Sequence, residues 1–388
     1  MNIDTRIRRR QDDAGLVRDE ATISPVSHIA DPVGRGPTFE ALLDYLDPVL
    51  DGALPPDAYV WGPAGAGKSA VVTALFAHLR PRRSRRGSIV HTATRPRAAR
   101  ERSQSFVYVD ARAATTDFAR YHAILDGVVD ESVPTQGVRT DALLDRLRDT
   151  LCRSSRRAVV AVDHVGESET CSLSALEAAL APLDGALAWV AIGRDRPTDL
   201  DGDPPATRFE VPAYETRTLA DVVTTRAMAG LDARALTHQQ CRDLAAWADG
   251  DAHDALAALF AAADRASERG RARVEDDDIA HACEATPRHA VPLSQVLTLA
   301  PNRQRVLREL LDVRPADRSS VEETAAAIAA GVDLSAGTVR RYLYELADDG
   351  IVERVRTDGS TSGRPPSRVE PRFPTSVFRR LYEAETQG

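Results

Sequence analysis

Lysine is nearly missing from this chain. Of its 50 basic residues only Lys68 is a lysine, and the rest are arginine. Coding bias toward G and C accounts for that balance, together with the abundant Ala and Asp. The same bias makes the position of Lys68 informative, because composition discourages lysine everywhere else. Cysteine is also scarce. Cys152, Cys171, Cys241 and Cys283 form no C-x-x-C pair, and the nine histidines do not gather beside them, which argues against zinc and against a disulfide framework. No apolar run approaches the ~18 residues of a membrane span. The opening "MNIDTRIRRRQDD" lacks the apolar stretch of a secretory signal, so the expectation is a cytoplasmic protein with no membrane partner. An excess of positive charge is missing too. The net charge is -8 and the pI about 5.7, so any contact with nucleic acid must come from local patches.

What is present suits a soluble chain of two or three domains: 388 residues, 43% hydrophobic and 28% charged. Residues 1–20 are polar and read as a flexible N-terminal tail. Over 21–212, "DAYVW", "SFVYVDA", "AVVAVD" and "LAWVAIG" read as strands. They alternate with helical patterns such as "FEALLDYLDPVL", "VVTALFAHL" and "DALLDRLRDTL", which predicts an α/β domain with a parallel sheet. Residues 80–102 form a basic, weakly patterned insert, either a solvated loop or an extra basic contact. Over 213–290 four successive helical patterns predict a helical domain. Over 291–388 three helices precede two short strands flanking "DGSTSGRPP", the order of a winged-helix domain.

Gly62, Pro63, Ala64, Gly65, Ala66, Gly67, Lys68 and Ser69 fit the phosphate-loop pattern G-x-x-x-x-G-K-[ST], with Ala70 continuing into the following helix. Glycines let the backbone curl so that several N–H groups face the phosphates, and the helix adds its positive N-terminal end. The lysine reaches the β- and γ-phosphates, and the serine can ligate magnesium. A strand precedes the loop and an amphipathic helix follows, which is the context the motif requires. ATP or ADP with magnesium is the expected ligand. Asp163, ending the strand "AVVAVD", is the natural second partner for the metal, so Ser69 and Asp163 form the expected magnesium pair.

The order of motifs around this loop is more specific than the loop. "HIADPVGRGPTFEALLDYLDPVLDG" precedes it; "FVYVDARAATTDFARYHAIL", "FEVPAYETRTLADVVTTRA" and "WADGDAHDALAALFAAADRASERG" follow, and the winged helix closes the chain. From residue 21 to 385 this resembles the archaeal Orc/Cdc-type replication-initiator family of AAA+ ATPases. The resemblance implies a AAA+ phosphate-loop domain, a helical lid and a winged helix. It implies that Pro32 and Val33 line the adenine pocket, that duplex DNA is bound, and that a replicative helicase or a second copy of the chain is a partner.

Four departures fall on the hydrolytic side of that pattern. The acid expected after Asp163 is His164. The polar residue expected after the fourth strand is replaced by Gly193, Arg194 and Asp195. The lid arginine expected after Gly250 and Asp251 is His253, which would take its place at the nucleotide. The segment before "FEVPAY" looks shortened, leaving Arg208 as a weak candidate for an arginine acting in trans. Changes of this kind cost orders of magnitude in phosphoryl transfer, so weak or lost hydrolysis is expected. Histidine is a residue type that serves as a base near neutral pH, which leaves His164 a doubtful candidate base; Glu167 is near in sequence but past the strand end.

In the winged helix, Ser335 is placed to cap a helix carrying Thr338, Arg340 and Arg341, and the hairpin adds Arg354, Arg356, Arg364 and Arg368. The N-terminal part of such a helix enters the major groove while the hairpin meets phosphates. Glu322, Glu323, Asp348 and Asp349 flank these positions, and winged helices also dock proteins. A nucleotide-gated transcription regulator or adaptor on the same scaffold is the alternative reading.

Overall fold

The computed structural model describes residues 15–80, 104–153, 157–356 and 367–387. The chain divides into two compact units. One spans residues 28–213; the other joins the residues up to 27 with those from 214 onward. The N-terminal stretch carries the one-turn helix α1 (Glu20–Ile23) and belongs to the second unit.

Unit 28–213 is built on α2 (Gly36–Leu50), β1 (Ala58–Trp61), α3 (Lys68–Leu79), β2 (Gln104–Asp110), α4 (Asp117–Val128), α5 (Thr140–Arg153), β3 (Arg157–Val165), α6 (Leu173–Leu180), β4 (Leu187–Gly193) and β5 (Thr207–Glu210). The described strands make one parallel sheet in the order β2-β3-β4-β1-β5. Both faces are covered, which is why the inner strands read as unbroken apolar runs. Val160 and Val162 pack with Ile124, Leu125, Leu147 and Leu176 on one face. Val159 and Ala161 pack with Leu42, Leu46, Leu75 and Phe76 on the other. The sheet so formed brings the β1–α3 loop, the end of β3 and the end of β4 to one edge, where open α/β sheets bind ligands.

Three features of this unit differ from expectation. β5 adds a fifth strand among the described residues, pairing Ala58–Trp61 with Thr207–Glu210. α6 supplies an additional covering helix. The β3–β4 register slips between Val162 and Val165, so Asp163 and His164 sit in a bulge rather than in a regular strand end. Most of the basic insert, residues 81–103, lies outside the described residues.

The second unit contains α7 (Thr216–Gly230), α8 (His238–Ala248), α9 (Ala252–Glu268) and α10 (Asp276–Ala285). It continues with α11 (Leu293–Leu297), α12 (Pro301–Asp312), α13 (Val321–Ala329), α14 (Ala336–Asp348), β6 (Val352–Arg356), β7 (Ser367–Pro371) and α15 (Thr375–Gln387). α9 is buried almost all round from Asp254 to Ala263, and its many alanines let neighbouring helices approach. α12, α13, α14 and the antiparallel β6–β7 pair form the winged helix. α15 was not anticipated; it seals this part with Val377 and Phe378, the latter stacked edge-on with Phe373 at 5.2 Å.

The expected tail ends earlier than residue 20. Leu16 and Ile23 are buried, the Arg18 and Asp19 N–H groups donate to Gly230 O at 2.9 and 3.0 Å, and Val17 bridges to Leu231. Arg226 donates to the carbonyls of Ser24 and Ser27. Two apolar anchors and paired backbone suffice to hold this stretch on α7; residues 1–14 lie outside the described part.

Candidate functional site

The phosphate loop runs from the end of β1 to the start of α3. Its first residue must be glycine because a Cβ on Gly62 would meet Val211 O at 2.0 Å. That contact arises because Val211 N–H donates to Trp61 O (2.8 Å), carrying the β5 pairing one step further. Gly65 and Gly67 hold left-handed backbone, and Gly67 caps α3. Lys68 is 9% exposed, and its ammonium donates to Gly62 O and Pro63 O, both at 2.7 Å. It therefore lies along the loop that a phosphate would enter. Pro63 is exposed, Ala66 is buried, and Ala64, Ser69 and Ala70 are half-buried along the same turn. Pro32 and Val33 are half-buried before α2, and Arg35 at its N-cap donates to Pro212 O at 2.8 Å, tying this segment to the far side of β5.

Asp163 is 1% exposed, and both of its oxygens accept hydrogen bonds. Oδ1 accepts from the His164 N–H at 2.7 Å. Oδ2 accepts from the Tyr108 hydroxyl at 2.5 Å, and the Ser69 side chain lies near that phenol. Burial, with the charges of Asp163 and Asp110, pushes the Tyr108 pKa up and keeps the phenol a neutral donor. The aspartate of the expected magnesium pair, Ser69 and Asp163, thus already has a phenol on one oxygen. Tyr108 was not singled out from the sequence. Its signal was its place on β2, the neighbour of β3, at the position paired with Ala161.

The bulge turns His164 out of the strand, with φ 64°. Its Nδ1 lies 3.3 Å from Glu167 Oε1. Glu167 is the hub of a buried cluster. Arg112, on the turn after β2, donates to Oε2 through Nε at 2.7 Å and through its terminal nitrogen. Arg194 Nε, just after β4, is 2.8 Å from Oε1. The Glu167 side chain is 10% exposed. Burial pushes its pKa up, but the His164 hydrogen bond and the charges of Arg112 and Arg194 outweigh it and bring the carboxyl down to about 2. Such a group is a fixed anion with almost no basicity at neutral pH. Gly193 cannot carry a side chain either: a Cβ there would meet the Tyr59 hydroxyl oxygen at 2.5 Å. That hydroxyl donates to Asp195 O at 2.9 Å and fixes the turn bearing Arg194. Arg208 folds back on its own loop, donating to Pro205 O at 2.7 Å.

His253 lies in the second unit, in the first turn of α9. Its Nε2 accepts from the Leu293 N–H at 3.0 Å and its Nδ1 faces Asp254 Oδ1 at 3.4 Å. Asp254 Oδ2 accepts from the His289 N–H at 3.1 Å. The pair thus staples the start of α9 to the segment entering α11. Asp251, His253 and Asp254 each bring a ligand atom within 4.8 Å of the others, but Asp251 Oδ1 is spent capping α9.

On the winged helix, Ser335 caps α14 by accepting from Thr338 N–H at 3.2 Å. Thr338 is half-buried, while Arg340, Arg341, Arg354, Arg356 and Arg368 are exposed; Arg364 lies outside the described residues. Arg354 stacks over the Tyr344 ring at 5.0 Å and joins β6 to α14. Three of the other arginines have acidic neighbours: Arg340 lies 3.8 Å from Glu322, Arg341 3.7 Å from Glu345 and Arg368 2.6 Å from Glu370. These are exposed pairs that cost little to open.

Known proteins share the fold. A family model described as an AAA ATPase domain matches residues 31–190. The chain is 23% identical over 353 residues to the ORC1-type DNA replication protein 9 of Halobacterium salinarum, covering 86% of this chain and 88% of that protein. Among solved structures, the Aeropyrum pernix ORC1 protein in complex with DNA superposes with a TM-score of 0.62 at 20% identity, covering 95% of this chain and 97% of that one. The Aeropyrum pernix ORC2 protein in its ADPNP-ADP complexes gives 0.58 at 18% identity, covering 96% and 100%.

Proposed function

We propose that the chain is a divergent member of the archaeal Orc/Cdc-type AAA+ family, a replication-initiation protein that binds ATP or ADP and duplex DNA, with slow or lost hydrolysis. One observation carries this reading: the phosphate cradle is intact while the nearby acid is tied up. Gly62 to Ser69 keep the backbone curl and the lysine that phosphates require. The acid of the usual position is His164, and Glu167 is held by two arginines, so neither offers a strong base to an attacking water. Both ring nitrogens of His253 are engaged within their own unit, by the Leu293 N–H and Asp254. Pro32 and Val33 line the adenine side in this reading.

The DNA part rests on the exposed arginines of α14 and the hairpin, and on the relative from Aeropyrum pernix that was solved in complex with DNA. Thr338, Arg340 and Arg341 would meet the groove; Arg354, Arg356, Arg364 and Arg368 would meet phosphates. A replicative helicase, or a second copy of the chain, is the partner this role calls for. The test is ATP binding and hydrolysis by the full chain, with and without duplex DNA, beside Lys68→Ala and His164→Glu. We expect wild type to bind ATP and turn it over no faster than Lys68→Ala. Turnover well above that background would overturn the hydrolysis part of the reading. Absence of nucleotide binding would overturn the whole.

A further inference from the structure

In a phosphate-loop protein, the serine after the lysine and the strand-end aspartate are the side chains that serve the metal. Here a phenol stands at both. Tyr108 donates to Asp163 Oδ2 at 2.5 Å, and the Ser69 side chain lies near the same hydroxyl. The other oxygen of Asp163 is occupied by the His164 N–H, and the carboxylate has no open side toward solvent. The Tyr108 ring packs into the core between the sheet and α3, so the hydroxyl is held there by apolar contacts as well as by its hydrogen bonds. An ion touching both Ser69 and Asp163 would have to displace it. The phosphate charge has other partners: Lys68 and the N–H groups of the loop and of the first turn of α3.

We propose that the Tyr108 hydroxyl takes the ion's place between Ser69 and Asp163, so that the protein holds adenine nucleotide with nearly equal affinity with and without magnesium. This rests on the nucleotide-binding reading above and adds to it the form of the ligand. Tyr108 is a positioning residue in this account: it decides what the two metal-facing side chains can reach.

The experiment is a titration of the full-length protein with a fluorescent ADP analogue, in excess EDTA and in excess magnesium, for wild type and Tyr108→Phe. Phenylalanine keeps the ring and removes only the hydroxyl. For wild type the two dissociation constants should agree within about threefold, and for Tyr108→Phe magnesium should tighten binding by about tenfold or more. A larger magnesium effect in wild type, or a smaller one in the variant, overturns the proposal. Should the variant fail to fold, manganese uptake by the wild-type ADP complex, followed by electron paramagnetic resonance, decides the matter. Uptake no tighter than by ADP in solution supports the proposal, and tighter uptake overturns it. Binding in neither buffer would sink the nucleotide reading, whereas binding only with magnesium would sink this inference and leave that reading standing.

Discussion

Glu167 is the residue whose surroundings differ most from its place in the chain. Its carboxyl falls from an ordinary 4.5 to about 2 because His164, Arg112 and Arg194 converge on it. A depressed folded-state pKa means stability that is present above pH 4.5 and is lost as the pH falls toward 2. The shift corresponds to at most about 3 kcal/mol at neutral pH. We expect the melting temperature of wild type to drop more steeply between pH 5 and pH 2.5, roughly the window in which this carboxyl binds its proton, than that of Glu167→Gln. Parallel curves would show that the cluster contributes nothing. His164 bears on the same hub from a left-handed backbone, where a glutamate is strained by about 1 kcal/mol or more. His164→Glu would also set a third carboxylate beside Asp163 and Glu167. Restoring the acid by itself should therefore not restore ATP turnover; a phosphate-release assay on that variant checks this.

α10 shows how an element is held by charge rather than by apolar surface. Asp278 is 0% exposed, and its carboxylate takes Arg265, Arg269 and Arg271 at 3.2, 3.4 and 2.7 Å, as well as the Glu275 N–H that begins the helix. Removing Asp278 takes the shared anion from three partly exposed arginines and the acceptor from the Glu275 N–H, which costs about 1–3 kcal/mol. Asp278→Ala should lose stability on that scale in urea unfolding; a loss below about 1 kcal/mol, the range of an exposed pair, would contradict the burial. This helix was legible in advance because "EDDDIAHACEA" has a cap, an acidic first turn and apolar spacing. β5 was not, because four residues alternating half-buried and exposed carry too little apolar signal to mark a strand. α15 was hidden behind a proline and an amphipathic pattern at the chain's end. The site was half legible. Gly62 to Ser69 declare themselves through local spacing. The meetings of Tyr108 with Asp163 and of Arg112 with Glu167 join residues 55 apart and depend on which strands become neighbours.

At the scale of the molecule, a net charge of -8 opposes DNA, so the proposed function calls on local basic groups such as the arginines of the winged helix. Binding to duplex DNA should weaken steeply with salt. Replacing Arg354 and Arg356 together by alanine should reduce the slope of log affinity against log salt by about two, uniformly across sequences. An unchanged slope would place the DNA elsewhere. The division of the chain has a consequence of another kind. Residues 15–27 pack on α7, yet the whole sheet unit is synthesised between them. The native partners of Leu16 and Ile23 on this helix therefore come more than 200 residues later in the chain. Closing so long a loop costs chain entropy that grows only logarithmically with its length, and prior folding of the sheet unit draws the loop's two ends together. The sheet unit is therefore an insertion within the other unit, which is completed only when residues 15–27 meet chain made after the whole sheet unit.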